Sequence, residues 1–338
     1  MRSTLQNPER LHLLDPFSHF GARELTLLGE TVSEVSLPAG KQLFKEDDPA
    51  GDLFLLEGGE IRMRKMTPFG EFELFRPGTG DLFGEDSFLT GVGRDSDAEV
   101  ITDAKLLVMN AAALASASEQ DSRFELALHW SLWRGLSKKL RQANDRLAGI
   151  FSADSAPTTQ PLRVQQSSAA ATNLGMAHKV GLFREQRLSA MEINFLASLS
   201  QEETFAPGQT IFKEGEVGDK MYIVADGTVM ISKSIAGVGE EALAFLERGD
   251  YFGEMALIDQ RSRSADARAH PEKGVTVLAL PRAVVEGLLN IEKVSSVRLL
   301  KILTSMAAKR TRAIQEKLVG WFLLAGGDID PAPPSSGT

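Results

Sequence analysis

Cysteine is absent from this 338-residue chain, which excludes disulfide bonds, thiol catalysis and cysteine-ligated metals. Long hydrophobic runs are absent too. The longest uncharged apolar stretch, 318–327, is about half as long as a helix that crosses a bilayer. The first residues contain no apolar segment of the signal-peptide type. From these absences we expect a cytoplasmic protein without a membrane span.

An excess of positive charge is also missing. Lys and Arg number 37 against 46 Asp and Glu, a formal net charge of −9, and an acidic chain is a poor general binder of nucleic acid. The residues after the second long helical pattern, 326–338, are too few for a helix-turn-helix. The histidines show no metal-ligand spacing, and no glycine-rich phosphate loop ending in Lys-Ser or Lys-Thr is present. We therefore expect neither an enzyme nor a DNA-binding protein.

The chain contains an internal repeat. Residues 40–46, Gly-Lys-Gln-Leu-Phe-Lys-Glu, match residues 208–214, Gly-Gln-Thr-Ile-Phe-Lys-Glu, at an offset of 168. Residues 80–85, Gly-Asp-Leu-Phe-Gly-Glu, match residues 249–254, Gly-Asp-Tyr-Phe-Gly-Glu, at an offset of 169. Matched order, with the glycines in register, indicates two copies of one domain.

Composition suggests where each copy ends. Residues 152–179 include no aromatic residue and are rich in Ser, Thr, Ala, Gln and Pro, a composition that cannot bury enough surface to fold alone. The predicted organisation is a first domain at 1–151, a flexible linker at 152–179, a second domain at 180–326 and a disordered tail at 327–338.

Within each copy, short alternating apolar segments punctuated by Gly, Pro and Asp are typical of a compact antiparallel barrel or sandwich. A short amphipathic helix is predicted before each barrel, with Leu25 and Leu28 on the apolar face of the first and Met191, Phe195 and Leu199 on that of the second. A long helix is predicted after each barrel. Apolar residues recur every seven positions in the two long helices: Leu126, Trp133, Leu140 and Leu147 in the first, and Leu300, Ala307, Ile314 and Trp321 in the second. This spacing places them on one stripe, which favours a helix–helix seam over packing on the helix's own barrel.

The most informative string is Phe-Gly-Glu-Met-Ala-Leu-Ile-Asp-Gln-Arg-Ser-Arg-Ser-Ala at 252–265, which we call cassette 2. Gly253 lets the backbone approach a ligand closely, and Arg263 supplies a planar cation suited to phosphate oxygens. Glu254 would repel a phosphate, but it suits a ligand that also presents a hydroxyl. Phosphate beside a sugar hydroxyl suggests a nucleotide.

Cassette 2 resembles the phosphate-binding cassette of cyclic nucleotide-binding domains, the family of the bacterial cyclic AMP receptor protein and the regulatory subunits of cyclic-AMP-dependent protein kinase. The resemblance covers about 15–150 and 180–325. It implies an α+β fold of two tandem jelly-roll β-barrels, each flanked by helices and followed by a long helix. It also implies that Glu254 takes the ribose 2′-hydroxyl and that Arg263 holds the cyclic phosphate. The ligand residues it implies are Phe252, Gly253, Glu254, Met255, Ala256, Arg263, Ser264, Ala265, Thr304 and Ser305.

The matching string at 83–98, which we call cassette 1, keeps the Gly, Glu and Arg but departs from the family pattern elsewhere. Asp86 and Ser87 replace an aliphatic residue and an alanine, and Asp95 directly follows the arginine. A carboxylate close to a bound phosphate opposes binding, and Asp95 could act as an internal anion for the arginine. A weaker pocket and a retired one both stay open. The candidate ligand residues are Gly84, Glu85, Asp86, Ser87, Arg94 and Asp95.

The resemblance implies a non-enzymatic sensor of cyclic AMP, with cyclic GMP also open. Ligand binding would shift the long helices and alter a surface that binds an effector protein. The alternatives are an interaction scaffold with degenerate pockets and a receptor for another anionic nucleotide, such as a cyclic dinucleotide. The long helices are expected to pair within one chain, as an imitation of a dimer, or between two chains.

Overall fold

The computed structural model forms two compact units. Unit 1 comprises Met1–Ala143 and Leu300–Thr338, and unit 2 comprises Asn144–Leu299. The structure describes residues 2–5, 7–150, 175–186, 188, 190–235, 239–289 and 297–328. Most of the predicted linker and tail lies outside these residues. Within the described part, no helix is long and apolar enough to cross a membrane.

The barrel of unit 1 is an antiparallel sheet in the order β1-β2-β7-β4-β5, with β3 paired to β7 and β6 paired to β4. Its strands are β1 (Arg2–Thr4), β2 (Val32–Leu37), β3 (Gln42–Phe44), β4 (Leu53–Thr67), β5 (Gly70–Phe75), β6 (Leu82–Phe83) and β7 (Asp97–Met109). The long strands β4 and β7 pair through several register shifts. One lies at Gly59, whose φ is +89° and where a Cβ atom would stand 2.3 Å from the Asp103 carbonyl oxygen. Only glycine fits this bulge.

Unit 1 also contains helices. They are the 3₁₀ segments Pro8–Leu13 and Asp15–Phe17 and the α-helices α1 (Ala22–Thr31), α2 (Glu85–Thr90), α3 (Ala111–Gln120) and α4 (Ser122–Ile150). Helix α3 begins where the Asn110 side chain accepts a hydrogen bond from the Ala113 amide, which satisfies one free N–H of the first turn.

Unit 2 contains two four-stranded antiparallel sheets, in the orders β13-β10-β15-β8 and β12-β11-β14-β9. The strands are β8 (Gln201–Phe205), β9 (Thr210–Phe212), β10 (Lys220–Gly227), β11 (Val229–Ile235), β12 (Gly239–Leu246), β13 (Tyr251–Phe252), β14 (Asp266–Ala269) and β15 (Val275–Pro281). The helices are α5 (Met176–Glu185), α6 (Ala190–Leu199), α7 (Met255–Ile258) and α8 (Arg282–Leu288). Alternate residues of the strands point inward and form one core that includes Phe205, Tyr222 and Val277. The predicted α+β jelly-roll fold is confirmed.

The structure differs from the predicted boundaries in three places. Helix α5 begins at Met176, inside the segment predicted as linker. The second long helix, α9 (Val297–Leu324), belongs from Leu300 onward to unit 1, although its sequence follows the second barrel. Helix α4 belongs to unit 2 from Asn144 onward.

Within unit 1 the two long helices contact each other. The Nδ1 atom of His129 lies 3.0 Å from the Thr304 hydroxyl oxygen, and Lys301 Nζ lies 2.6 Å from Glu125 Oε1. The seven-residue stripes are buried along most of both helices. The predicted helix–helix seam is therefore present in this unit.

Candidate functional site

The backbone of cassette 2 turns sharply where strand β13 ends. Gly253 has a φ of +75°, a conformation that side-chain-bearing residues rarely adopt. A Cβ atom there would lie 2.5 Å from Arg263 Nη1. The glycine is therefore required both by the turn and by the approach of the arginine side chain.

Arg263 is held rigidly inside cassette 2, with 4% of its surface exposed. Nη1 donates to the Gly253 carbonyl at 2.5 Å and Nη2 to the Lys220 carbonyl at 2.8 Å. The guanidinium carbon lies 4.2 Å from the centre of the Phe212 ring and 5.8 Å from that of Tyr222, so both rings stabilise the cation. Burial lowers the pKa of Arg263, but an arginine stays charged at neutral pH.

The Nε donor of this guanidinium has no partner in the described part of the chain. Arg263 Nε is buried and has no hydrogen-bond partner among the described residues. A buried N–H without an acceptor is costly, at about 1–3 kcal/mol. The arrangement is a fixed cation whose Nε–H is still to be satisfied, which suits an anion with oxygen acceptors.

The rest of cassette 2 gathers around this cation within unit 2. Glu254 is 3% exposed, and the Ser264 hydroxyl lies 3.8 Å from the Met255 sulfur, a weak acceptor. The structure brings together the residues that were predicted from the contiguous string, namely Phe252, Gly253, Glu254, Met255, Ala256, Arg263, Ser264 and Ala265.

Thr304 and Ser305 are the two predicted ligand residues that lie outside unit 2. Both lie on the part of α9 that belongs to unit 1. The Thr304 side chain is fully buried there, donates to the Leu300 carbonyl and contacts His129. That Thr304 and Ser305 contact a ligand of cassette 2 stays a prediction.

Sequence reasoning missed Arg282, the first residue of α8. Its Nη2 donates to the Gly218 carbonyl at 2.6 Å and to the Ala256 carbonyl at 3.1 Å, and its Nη1 to the Leu257 carbonyl at 3.3 Å. Arg282 therefore ties α8 to the backbone of the cassette helix α7. No spacing in the sequence pointed to it.

A second missed residue is Lys233 on β11, with 5% of its surface exposed. Its Nζ lies 2.9 Å from Glu214 Oε1 and 2.7 Å from Asp145 Oδ1 on α4. Unit 1 has the equivalent pair 168 positions earlier, Lys65 with Glu46 at 3.0 Å. The repeat alignment contained this signal, since both members of the pair recur at the same offset.

Cassette 1 is built on the same frame as cassette 2, but its arginine also binds a side-chain hydroxyl. Arg94 donates to the Gly84 carbonyl at 2.8 Å and the Asp52 carbonyl at 2.6 Å, and also to the Ser87 hydroxyl at 2.7 Å. Ser87 stands where cassette 2 has Ala256. The guanidinium of cassette 1 is thus better satisfied by its own chain.

The carboxylate of cassette 1 is paired as well. Glu85 is 1% exposed, and Lys139 Nζ donates to its two oxygens at 2.6 and 2.8 Å. Burial raises the pKa of Glu85, and the charge of Lys139 opposes that rise. Lys139 lies on α4, and the sequence of cassette 1 gave no indication that it would bind Glu85.

The two aspartates that mark cassette 1 have separate partners. Arg312 Nη2 lies 2.8 Å from Asp86 Oδ2, and Asp95 accepts a hydrogen bond from the Ser96 hydroxyl at 2.9 Å. The expected internal ion pair between Asp95 and Arg94 is not formed: among the described residues, Arg94 donates to two carbonyls and a serine instead.

Comparison with known sequences gives one family. The model of the cyclic nucleotide-binding domain matches residues 34–121 and 202–292. A cGMP-dependent protein kinase of Caenorhabditis elegans is 24% identical over 270 residues, which cover 79% of this chain and 28% of that protein. The cyclic AMP receptor protein of Thermus thermophilus is 38% identical over 82 residues, which cover 24% of this chain and 38% of that protein. The chain thus spans less than two fifths of either relative.

Solved structures similar to this chain include the regulatory domain of Toxoplasma gondii PKA, crystallised with cAMP. It is 20% identical, with a TM-score of 0.32, and the match covers 89% of this chain and 95% of that one. A cyclic nucleotide-binding protein of Geobacter metallireducens is 24% identical, with a TM-score of 0.34, and the match covers 37% of this chain and 90% of that one.

Proposed function

Since the chain belongs to the cyclic nucleotide-binding domain family, we propose that it is a non-enzymatic cyclic AMP sensor whose receptor site is cassette 2. The observation that carries the proposal is the buried Arg263 cation, which the Gly253 and Lys220 carbonyls hold at the turn of cassette 2 and whose Nε–H has no acceptor among the described residues. An oxygen of a cyclic phosphate would satisfy that donor and bring a countercharge. Glu254 would accept the ribose 2′-hydroxyl, and Gly253 would let the sugar–phosphate ring approach the backbone.

Ser264 supports cyclic AMP as the ligand. Its hydroxyl belongs to the residue after the candidate phosphate-binding arginine and, within the described part of the chain, hydrogen-bonds only to a weak acceptor, the Met255 sulfur, at 3.8 Å. It is therefore available for a stronger hydrogen bond to a ligand. A guanine base turned toward the same hydroxyl could use it too, so cyclic GMP is the main competitor in the test.

The signal would leave cassette 2 through the side chains that tie it to helices. Arg282 links the cassette carbonyls to α8, and Lys233 links strand β11 to Asp145 on α4. A ligand that prefers one packing of these helices shifts the population toward it. We propose that an effector protein in the cytoplasm recognises the shifted helices and that DNA is not a partner.

Titration calorimetry of the purified chain with cyclic AMP, cyclic GMP and a cyclic dinucleotide tests the proposal. Arg263→Ala is expected to weaken cyclic AMP binding by about 2–5 kcal/mol, because the phosphate loses its buried countercharge. Arg261→Ala is the matched control: it removes one exposed arginine two positions away and is expected to leave affinity unchanged.

Arg263→Lys guards against a folding artefact, because it keeps the charge and loses the planar fork. Intermediate affinity in this variant supports the proposal. Wild-type affinity in Arg263→Ala would overturn the site assignment. Failure of the wild-type chain to bind any of the three nucleotides would favour the scaffold function instead.

A further inference from the structure

Cassette 1 differs from cassette 2 in the residues that its polar groups bind. In cassette 2 the positions that align with Asp86 and Gly93 are Met255 and Ser262. In cassette 1 both positions bind one side chain, Arg312 of α9. Its Nη2 donates to Asp86 Oδ2 at 2.8 Å and to the Gly93 carbonyl at 2.7 Å.

This contact is well formed. The side chains of Arg312 and Asp86 are 18% and 19% exposed, so water screens the pair only partly. Charge-assisted hydrogen bonds of this kind are about twice as strong as neutral ones. Asp86, which departs from the family pattern of a nucleotide site, is thus the residue that binds helix α9 through Arg312.

The remaining groups of cassette 1 are satisfied in the same unit. Lys139 holds both oxygens of Glu85, and Ser87 accepts from Arg94. A cyclic phosphate at Arg94 would lie close to the carboxylates of Asp86 and Asp95. It would compete with the serine for the guanidinium and would repel both carboxylates.

Helix α9 is anchored to unit 1 on both sides of Arg312. Before it in the chain, Thr304 contacts His129 of α4. After it, the Phe322 ring lies 4.9 Å from the ring of Phe72 on strand β5. Arg312 is therefore the central polar contact of a helix that is also packed at its two ends.

We infer that cassette 1 is a dock for helix α9, with Arg312 as its built-in ligand, and that it does not take a cyclic nucleotide. The dock joins a helix that follows the second barrel in sequence to the cassette of the first barrel. The docking rests on the contacts within unit 1 and does not depend on the proposed function of cassette 2.

Amide hydrogen exchange on the full chain without nucleotide tests the dock. Arg312→Gln is expected to speed exchange in peptides from 84–96 and from 305–318 by about tenfold, because a charge-assisted contact is lost. Lys309→Gln removes one exposed charge from the same helix and should change neither region. Unchanged exchange in Arg312→Gln would overturn the inference.

Asp86→Asn separates docking from general damage. If Arg312 acts through Asp86, the double variant should exchange no faster than Arg312→Gln alone, because both changes remove one interaction. Additive effects of the two changes would contradict the dock. Circular dichroism checks that each variant is folded before exchange is compared.

A second experiment tests whether cassette 1 binds a nucleotide. In the Arg263→Ala background, titration with cyclic AMP and cyclic GMP is expected to show no binding at cassette 1. Binding that disappears when Arg94→Ala is added would overturn the claim that cassette 1 excludes nucleotides. Lack of all binding in the wild-type chain would contradict only the proposed function, and the exchange result would still decide the dock.

Discussion

The two cassette arginines share a frame and differ by one hydroxyl. Each guanidinium binds two backbone carbonyls and lies over an aromatic ring, Phe44 for Arg94 and Phe212 for Arg263. Only Arg94 has a serine as a further acceptor. At this scale, the two cassettes differ in whether a side-chain hydroxyl already accepts from Nη1 of the arginine.

Ala256→Ser is the change that transfers this hydroxyl to cassette 2. The new hydroxyl is expected to accept from Arg263 and to weaken cyclic AMP binding about fivefold to tenfold, since a net hydrogen bond contributes about 1 kcal/mol. Titration calorimetry measures the loss. Thr228→Ser, a small hydroxyl change elsewhere in unit 2, is the control, and affinity in Ala256→Ser equal to that of the wild type would contradict the explanation.

Asp95 gives a second prediction for a single residue. Burial, and next the charge of Asp86, raise the pKa of Asp95 from 3.8 to about 6, although Ser96, Arg312 and Lys65 oppose the rise. The folded chain therefore binds this proton more tightly than the unfolded chain. The resulting stability is complete below about pH 4 and is lost as the pH rises through about 6.

Asp95→Asn replaces the buried carboxylate with a neutral side chain and so removes the cost of ionising it in the folded chain. We expect the free energy of unfolding to rise by about 1–2 kcal/mol at pH 7.5 and the gain to vanish near pH 4. Urea unfolding at the two pH values measures both. Glu119→Gln, an exposed acid in the same unit, should show neither effect. A gain of equal size at both pH values would mean that the charge of Asp95 is not the cause.

At the scale of elements, the seam between α4 and α9 depends on a neutral histidine. Burial, with a smaller contribution from Lys301, lowers the pKa of His129 from 6.5 to about 3. Between about pH 6.5 and pH 3, His129 is therefore protonated in the unfolded chain but neutral in the folded chain. The stability from His129 is therefore complete above pH 6.5 and falls as the pH drops toward 3.

We expect this histidine to lower the free energy of unfolding by about 2 kcal/mol between pH 8 and pH 5. His129→Gln keeps a side chain able to bond to Thr304 and should remove that part of the pH dependence. His12→Gln, a change at an exposed position, is the control. Chemical denaturation between pH 5 and pH 8 measures the free energy of unfolding. If its dependence on pH is the same in His129→Gln as in the wild type, His129 is not the cause.

The sequence predicted whole elements better than their faces. Strand alternation and seven-residue spacing were enough for the barrels and the long helices, because those periods follow from backbone geometry. The face of α6 was predicted wrongly. Phe195 and Leu199 are each 40% exposed, whereas Ile193 and Leu196 are buried, since the neighbouring elements choose the face of a short apolar helix.

The dependence on neighbouring elements also explains which parts of the two cassettes could be predicted. Most of the candidate site at cassette 2 could be predicted because eight of its ten candidate residues lie in one contiguous string, which the turn at Gly253 folds together. Lys139 and Arg312 reach cassette 1 from helices 54 and 226 positions away from their partners. Only tertiary packing creates those contacts, so local patterns in the sequence contained no sign of them.

At the scale of the whole molecule, the placement of α9 leads us to expect a monomer. The apolar stripe of this helix would be a surface for a second chain if it were open. In unit 1 it is covered: Leu300, Ala307 and Ile314 are at most 3% exposed, and Thr304 contacts α4 of the same chain. A helix that has already buried its stripe has little apolar surface left to drive association.

Sedimentation velocity over a wide concentration range, with and without cyclic AMP, measures this. We expect a single species of 36.7 kDa under both conditions. Leu303→Asp, placed at a buried position of α9, is the matched perturbation. This variant should be less stable than the wild type but should sediment with the same mass, because the seam that it disrupts lies inside one chain. A species of twice the mass, converted to monomer by Leu303→Asp, would show instead that two chains share the seam.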